Sequence, residues 1–453
     1  MRRVALVALC ALACRKTQGP TQQPGSAGAT KDPWQMADAA KETAQSRRAR
    51  AEAALARVSD VQPKLAKLRG LQFDHPVPTA YQTTDEFRAF LRKELAKELP
   101  PERSAKLSTA FLHIGLLAKP VDIAKAYEQT MATQAAAYYD PDAKKFFVVV
   151  VPDNDLVLDT ISAHELTHGL QDQRFDLKKY MSPKPPLDDD ASYARQFVVE
   201  GDATLAMFLY GVAEATKSVD AVKPMALNVL REQIKRFADM DIAGYDKMMK
   251  EQASEMPSLD ADLKQSMESV GQLPPVIITP LLASYMKGAA AVLVVYDYGG
   301  WPAVDALFRE PPESTEQLLH PTTKLYPKRE KPRRITLAKV EGDELTTNTM
   351  GELLWSVYFK LWGVTDASEG WGGDRYTVVK RKNGTLVGFL ATAWDSEKDA
   401  KEFLASYEAS IAKRFPAHDR KIATRRTGTN VYILDGDDDA KLFGQLIAQT
   451  KIL

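Results

Sequence analysis

Residues 156–170 read LVLDTISAHELTHGL, and at their centre His164-Glu165-Leu166-Thr167-His168 spells HExxH. The run is apolar or small apart from Asp159, Glu165 and the two histidines, which predicts a buried helix with Asp153 and Asn154 as N-cap candidates. Gly169 weakens that helix but permits close backbone packing. Histidines four apart share one helix face, about 5–6 Å apart at Cβ, so both imidazoles can reach one metal ion. Glu165 is rotated by about 100° around the helix, too far to be a third ligand on that face. It is placed instead to take a proton from a water at the metal, the general-base role in metal-assisted hydrolysis. Charges inside an apolar helix need partners, because an unpaired buried charge is costly. The structural alternative is a helix of satisfied core histidines with a salt-bridged glutamate.

A catalytic zinc takes three protein ligands and leaves one position for water. The third ligand expected here is Glu200, a carboxylate in the otherwise apolar or small run QFVVEGDATLAMFLY at 196–210. Asp202 competes with it, either as a ligand or as an acceptor behind a ligand histidine. Gln171, Asp172 and Gln173 follow His168 closely, and Asp172 is the candidate among them for that supporting role, beside Asp202. No third histidine follows His168 at close range, which argues against HExxHxxGxxH.

HELTHGLQDQ followed by VEGDA resembles the gluzincin type of zinc metallopeptidase, whose third ligand is a glutamate on a following helix. More narrowly, the chain is similar to bacterial zincin-like lipoproteins over roughly residues 60–410. The shared blocks are AAYYDPDAKKFFVV at 136–149, HELTHGLQDQRFDL at 164–177, VEGDA at 199–203, GGWPAV at 299–304, STEQLLHP at 314–321 and GWGGDRY at 370–376. The resemblance implies one zinc per chain on His164, His168 and Glu200, Glu165 as general base, and a peptide or protein substrate. It also implies an α+β fold: a mainly helical zincin-like metallopeptidase body with a small edge sheet. One departure stands out, because gluzincins often carry an aspartate four residues after the ligand glutamate and Thr204 holds that place. In such peptidases a downstream His or Tyr stabilises the oxyanion. His320 is the candidate here, with Tyr326, Tyr376 and Arg375 as alternatives. Helix capping before Pro321 is the structural use of the same histidine.

Outward from this centre, Asp140-Pro141-Asp142 marks a turn, and Lys144–Val151 reads as a strand. In zincins such a strand lies beside the cleft, where an extended peptide can add to its edge. Met181–Ala191 reads as a loop between the metal-bearing helices, and 218–270 as peripheral helix. Ile277–Tyr296 reads as helix interrupted by Pro280 and by Lys287-Gly288, too broken to span a membrane. Towards the C-terminus, Arg375–Lys382 and Leu386–Trp394 read as strands joined across Asn383-Gly384. Helix 396–414, strands near 420–427 and 429–434 and helix 438–450 follow, a ββαββα module. The acidic run Asp435 to Asp439 lacks calcium-loop spacing and reads as a turn with a helix N-cap.

At the other end, Met1-Arg2-Arg3 and the apolar Val4–Ala13 read as a signal segment too short to cross ~30 Å of hydrocarbon. Ala11-Leu12-Ala13-Cys14 resembles a bacterial lipobox, with Leu12 one place nearer the cysteine than usual. Cleavage there makes Cys14 a lipidated first residue, facing the periplasm or exterior; the alternative is an ordinary signal peptide and a secreted protein. The other cysteine, Cys10, lies in the removed segment. Membrane contact is thus expected through the lipid anchor only.

The domain reading is 1–14 signal segment, 15–33 flexible spacer, 34–135 helical region, 136–345 catalytic core and 346–453 the C-terminal module. The chain has 453 residues, 45% hydrophobic and 26% charged, enough for two or so sizeable cores. Its 60 basic and 60 acidic residues cancel, so no net field favours nucleic acid. The expected activity is zinc-dependent hydrolysis of peptide bonds. The competing expectation is a catalytically inactive zincin-like scaffold that binds partners in the cell envelope.

Overall fold

A computed structural model describes residues 44–132, 137–149, 155–218, 224–255, 270–417 and 419–453. Cys14, the spacer 15–33, the start of the 34–135 helical region and the N-cap candidates Asp153 and Asn154 lie outside them. The N-terminal helices are α1 (Ala44–Arg69), α2 (Thr84–Glu98), α3 (Pro101–Ile114) and α4 (Ile123–Ala132). The spacing T-x-x-E starts α2 through a capping box, with Thr83 Oγ1 accepting from the Glu86 N–H and Glu86 from the Thr83 N–H.

Three longer helices build the centre. They are α5 (Asp155–Phe175), followed by the short α6 (Leu177–Met181); α7 (Asp189–Thr216); and, after α8 (Pro224–Ala238) and α9 (Ile242–Glu255), α10 (Pro275–Arg309). Asp188 caps α7 by accepting from the Ala191 N–H at 2.9 Å. Helices α7 and α10 cross backbone to backbone. A Cβ on Gly201 would lie 2.3 Å from Gly288 O, and one on Gly288 would lie 2.6 Å from Phe197 O. The expected interruption at Lys287-Gly288 is therefore absent: Gly288 serves the crossing, and helix also runs through Pro280. The break falls later, at Gly299 and Gly300, where Gly300 takes φ 62°. By length and composition α10 could cross a membrane, but 83% of its apolar window is buried against the rest of the protein. It is the core helix.

A three-stranded sheet flanks α5, in the order β1 (Thr79–Tyr81), β3 (Lys145–Val148), β2 (Ala137–Asp140). β1 runs parallel to β3, and β2 antiparallel with Tyr139 opposite Phe146. The strand read at Lys144–Val151 is therefore the central one. The edge next to α5 belongs to β2, because β1, from far upstream in the chain, covers the other side of β3 with Thr79 opposite Phe146.

Beyond α10 come α11 (Thr315–Leu319), β4 (Ile335–Thr336), β5 (Asp343–Asn348) and α12 (Gly351–Leu361). The module follows with β6 (Trp371–Lys380), β7 (Leu386–Trp394), α13 (Glu397–Arg414), β8 (Ile422–Thr427), β9 (Asn430–Asp435), α14 (Ala440–Gln449) and β10 (Lys451–Ile452). Its sheet order is β5-β6-β7-β9-β8, all antiparallel, so the expected ββαββα order holds with β5 added at one edge. Alternation sorts the two faces. Val378, Leu390, Val431 and Ile433 pack with Phe403 and Tyr407 of α13 and with α3 and α12. Val379, Phe389, Tyr432 and Leu434 pack with Phe443 and Leu446 of α14. The acidic run ends as expected, with Asp439 capping α14 by accepting from the Lys441 and Leu442 N–H groups.

Candidate metal centre

Helix α5 presents His164 and His168 one turn apart, and α7 lays Glu200 across them. The Gly201–Gly288 crossing seats the turn of α7 that carries this carboxylate. His164 Nε2 lies 3.2 Å from Glu200 Oε2 and 3.3 Å from His168 Nε2, while His168 Nε2 lies 3.5 Å from Glu200 Oε2. All three residues have no exposed surface. Tyr285 of α10 closes one side, its ring centroid 5.8 Å from that of His164.

The charge states follow from this burial. His164 is pushed below its ordinary pKa by desolvation. For His168 burial acts in the same sense, but the Glu200 charge and hydrogen bond outweigh it and hold the imidazole up at about 9. Glu200 goes below the usual carboxylate range, since the two histidines overcome its desolvation.

The residues fit a metal. Ligands about 2.0–2.1 Å from a tetrahedral ion lie about 3.3–3.4 Å from one another, the spacing seen among these three atoms. Glu200 Oε1 and His164 Nδ1 are buried without a hydrogen-bond partner among the described residues. Such orphaned atoms are costly unless something else engages the group. The cluster can therefore hold a metal ion.

Glu165 sits about 100° around the helix from the histidine face, and its charge still acts on His168. Its Oε2 accepts from the Tyr139 N–H of β2 at 2.8 Å, and the residue is fully buried. Asp172, expected behind a ligand, is engaged elsewhere: it accepts from the Tyr139 hydroxyl at 2.7 Å and from Lys144 Nζ at 2.7 and 2.9 Å. Its neighbour Gln171 takes the supporting place, with Oε1 at 2.9 Å from His168 Nδ1. Asp202 acts one step further out, accepting from Gln171 Nε2 at 2.9 Å and from Arg69 Nε at 2.7 Å.

His320 sits at the C-cap of α11, its Nε2 2.8 Å from Glu352 Oε1. It lines a cavity of about 780 Å³ that takes in none of His164, Glu165, His168 or Glu200. The alternatives are also placed apart: Tyr326 stacks on Tyr298, Tyr376 is buried in the module core, and Arg375 reaches Thr349 and Asp188. Sequence reasoning missed Arg69 and Tyr285. Arg69 closes α1 like any basic last-turn residue, and Tyr285 lies in a uniformly apolar helix; neither carries a local signal.

A family model described as "Domain of unknown function (DUF8575)" matches residues 336–444. No curated protein and no solved structure matches the chain. The match takes in most of the C-terminal module and none of the residues of the metal centre, so it leaves the role of His164, His168 and Glu200 to their geometry.

Proposed function

We propose that this chain is a zinc-dependent hydrolase acting on peptide bonds. The observation that carries the reading is the convergence of His164 Nε2, His168 Nε2 and Glu200 Oε2 to within 3.5 Å, with Glu165 on the same helix. Two imidazoles and one carboxylate are the donor set of a catalytic zinc rather than of a magnesium or calcium site. Bound zinc supplies Lewis acidity and brings a water's proton loss near neutrality. Glu165 accepts the proton of the attacking water and returns it to the leaving amine. The Tyr139 N–H holds the carboxylate for this, fixing Oε2. A peptide rather than another hydrolysable substrate is what the likeness of HELTHGLQDQ and VEGDA to the gluzincin pattern implies. An acylated Cys14 would hold this body at a membrane surface.

A second reading, a metal-holding scaffold without turnover, is favoured by one observation: Glu165 and all three ligands are fully buried. The two separate on Glu165→Gln assayed with an unbiased peptide mixture. The hydrolase reading expects wild-type cleavage and a variant that keeps its zinc but loses about 10²–10⁴-fold in rate. Zinc-replete wild type that cleaves nothing would establish the scaffold, and equal turnover in both proteins would exclude Glu165 as base.

A further inference from the structure

Three buried polar side chains run from the end of α1 to the His168 ring, and the hydrolysis step uses none of them. Arg69 is fully buried, its guanidinium 4.3 Å from the centroid of Trp301. Its Nε lies 2.7 Å from Asp202 Oδ1 and its Nη2 3.2 Å from Asp202 Oδ2, with the same Nη2 2.6 Å from Asp305 Oδ1. Asp202 Oδ2 then meets Gln171 Nε2 at 2.9 Å, and Gln171 Oε1 meets His168 Nδ1 at 2.9 Å.

The direction of these bonds is fixed by what each atom can do. Gln171 Nε2 faces two groups, the Val199 carbonyl at 3.0 Å and the Asp202 carboxylate. A carbonyl and a carboxylate forked by arginine are acceptors only. The amide must therefore turn its NH₂ towards them, whichever way it is drawn. That leaves Oε1 against the histidine, and an amide oxygen only accepts. Nδ1 of His168 must then carry a proton, so in the neutral ring the lone pair is on Nε2, the atom that faces His164 Nε2 and Glu200 Oε2.

We propose that Arg69, Asp202 and Gln171 form a positioning relay that holds His168 in its Nδ1–H tautomer and so aims Nε2 at the metal position. The relay rests on the metal-binding reading of His164, His168 and Glu200, and it extends that site to the last turn of α1. Gln171 orients the ligand, Asp202 orients Gln171, and Arg69 keeps Asp202 an acceptor on both oxygens. Outer partners of this kind typically contribute 10–100-fold to metal affinity.

The test uses Gln171→Met in the full chain, which leaves the Arg69–Asp202–Asp305 ion pairs in place. Zinc affinity is read by chelator competition, and the His168 ring by ¹⁵N-histidine NMR with and without zinc. The relay expects affinity to fall by about 10–100-fold. It also expects a slowly exchanging Nδ1 proton in wild type that the variant loses while its amide spectrum stays folded. Unchanged affinity with unchanged ring signals would overturn it. If Gln171→Met fails to fold, Gln171→Ala carries the same test, because it too removes the acceptor facing His168 Nδ1; unchanged zinc affinity with an Nδ1 proton that exchanges as slowly as in wild type would again overturn the relay. Wild type that binds no zinc refutes the metal reading, and the Nδ1 signal, which needs no metal, then decides the relay alone.

Discussion

At the scale of single residues, the ligand set makes a sharp distinction between two neighbouring carboxylates. Glu200→Gln should lower zinc affinity by more than about 100-fold, since it removes a charged ligand rather than an outer partner. Asp172→Asn should leave affinity within about twofold, because that carboxylate serves Lys144 and Tyr139. Elemental analysis and chelator competition check both, and an equal loss in the two variants would contradict the placement of Asp172. The histidines and Glu165 were legible because their relation is local, one helical turn. Glu200 was legible as a charge in a run that must be buried. The choice of Gln171 over Asp172 was not: both follow His168 on its own face, three and four residues on. What decides between them is a hairpin that brings Lys144 and Tyr139 to Asp172 from about thirty residues upstream. Arg69 meets Asp202 from 133 positions away, beyond any spacing rule.

At the scale of elements, the site depends on how close α7 and α10 lie. Gly201→Ala would drive a methyl into the Gly288 carbonyl, backbone that cannot rotate aside. It should destabilise by about 1–3 kcal/mol or more and weaken zinc binding, as Glu200 is the preceding residue. Gly169→Ala makes the informative control. Its Cβ would lie 2.7 Å from Val77 Cγ2, the end of a side chain that can shift, and alanine gains about 1 kcal/mol of helix propensity. Thermal unfolding should therefore show a large loss for Gly201→Ala and a small one for Gly169→Ala; the reverse order would mean that the crossing does not set the site. Helix positions were legible where the periodicity is sustained, as the span 396–414 and the helix α13 found there show. The α10 break was not, because a glycine read as a weak point, Gly288, is a packing requirement set by Gly201 and Phe197 of α7, far away in sequence. Gly299-Gly300 did carry a local mark, a doubled glycine just before Trp301-Pro302, and that is where the helix breaks.

At the scale of the whole molecule, the C-terminal module is fastened to the N-terminal helices through a buried polar knot as well as an apolar core. His113 of α3 places Nε2 3.2 Å from the Asp435 carbonyl at the end of β9, with the Arg420 guanidinium against its ring and Arg414 bound to the His113 carbonyl at 2.7 Å. Its sequence context carried no pattern, since the partners converge only when the module docks. Burial holds this imidazole neutral, aided by the two arginines and opposed by the Asp435 charge, and takes its pKa from 6.5 down to about 4. The unfolded chain therefore binds the extra proton between these values, so stability rises with pH across that window and is lost on acidification. From pH 7 to pH 5 the loss from this one group is about 2 kcal/mol. A chain of several cores need not unfold in one step, so the measurement belongs on the module itself, as hydrogen exchange of the β7 and β9 amides. Wild type should exchange faster at pH 5 than intrinsic rates explain, and His113→Gln, which cannot titrate, should show a much smaller acid effect. Equal acid sensitivity in the two proteins would move the switch to another group and leave His113 a neutral peg between α3 and the sheet.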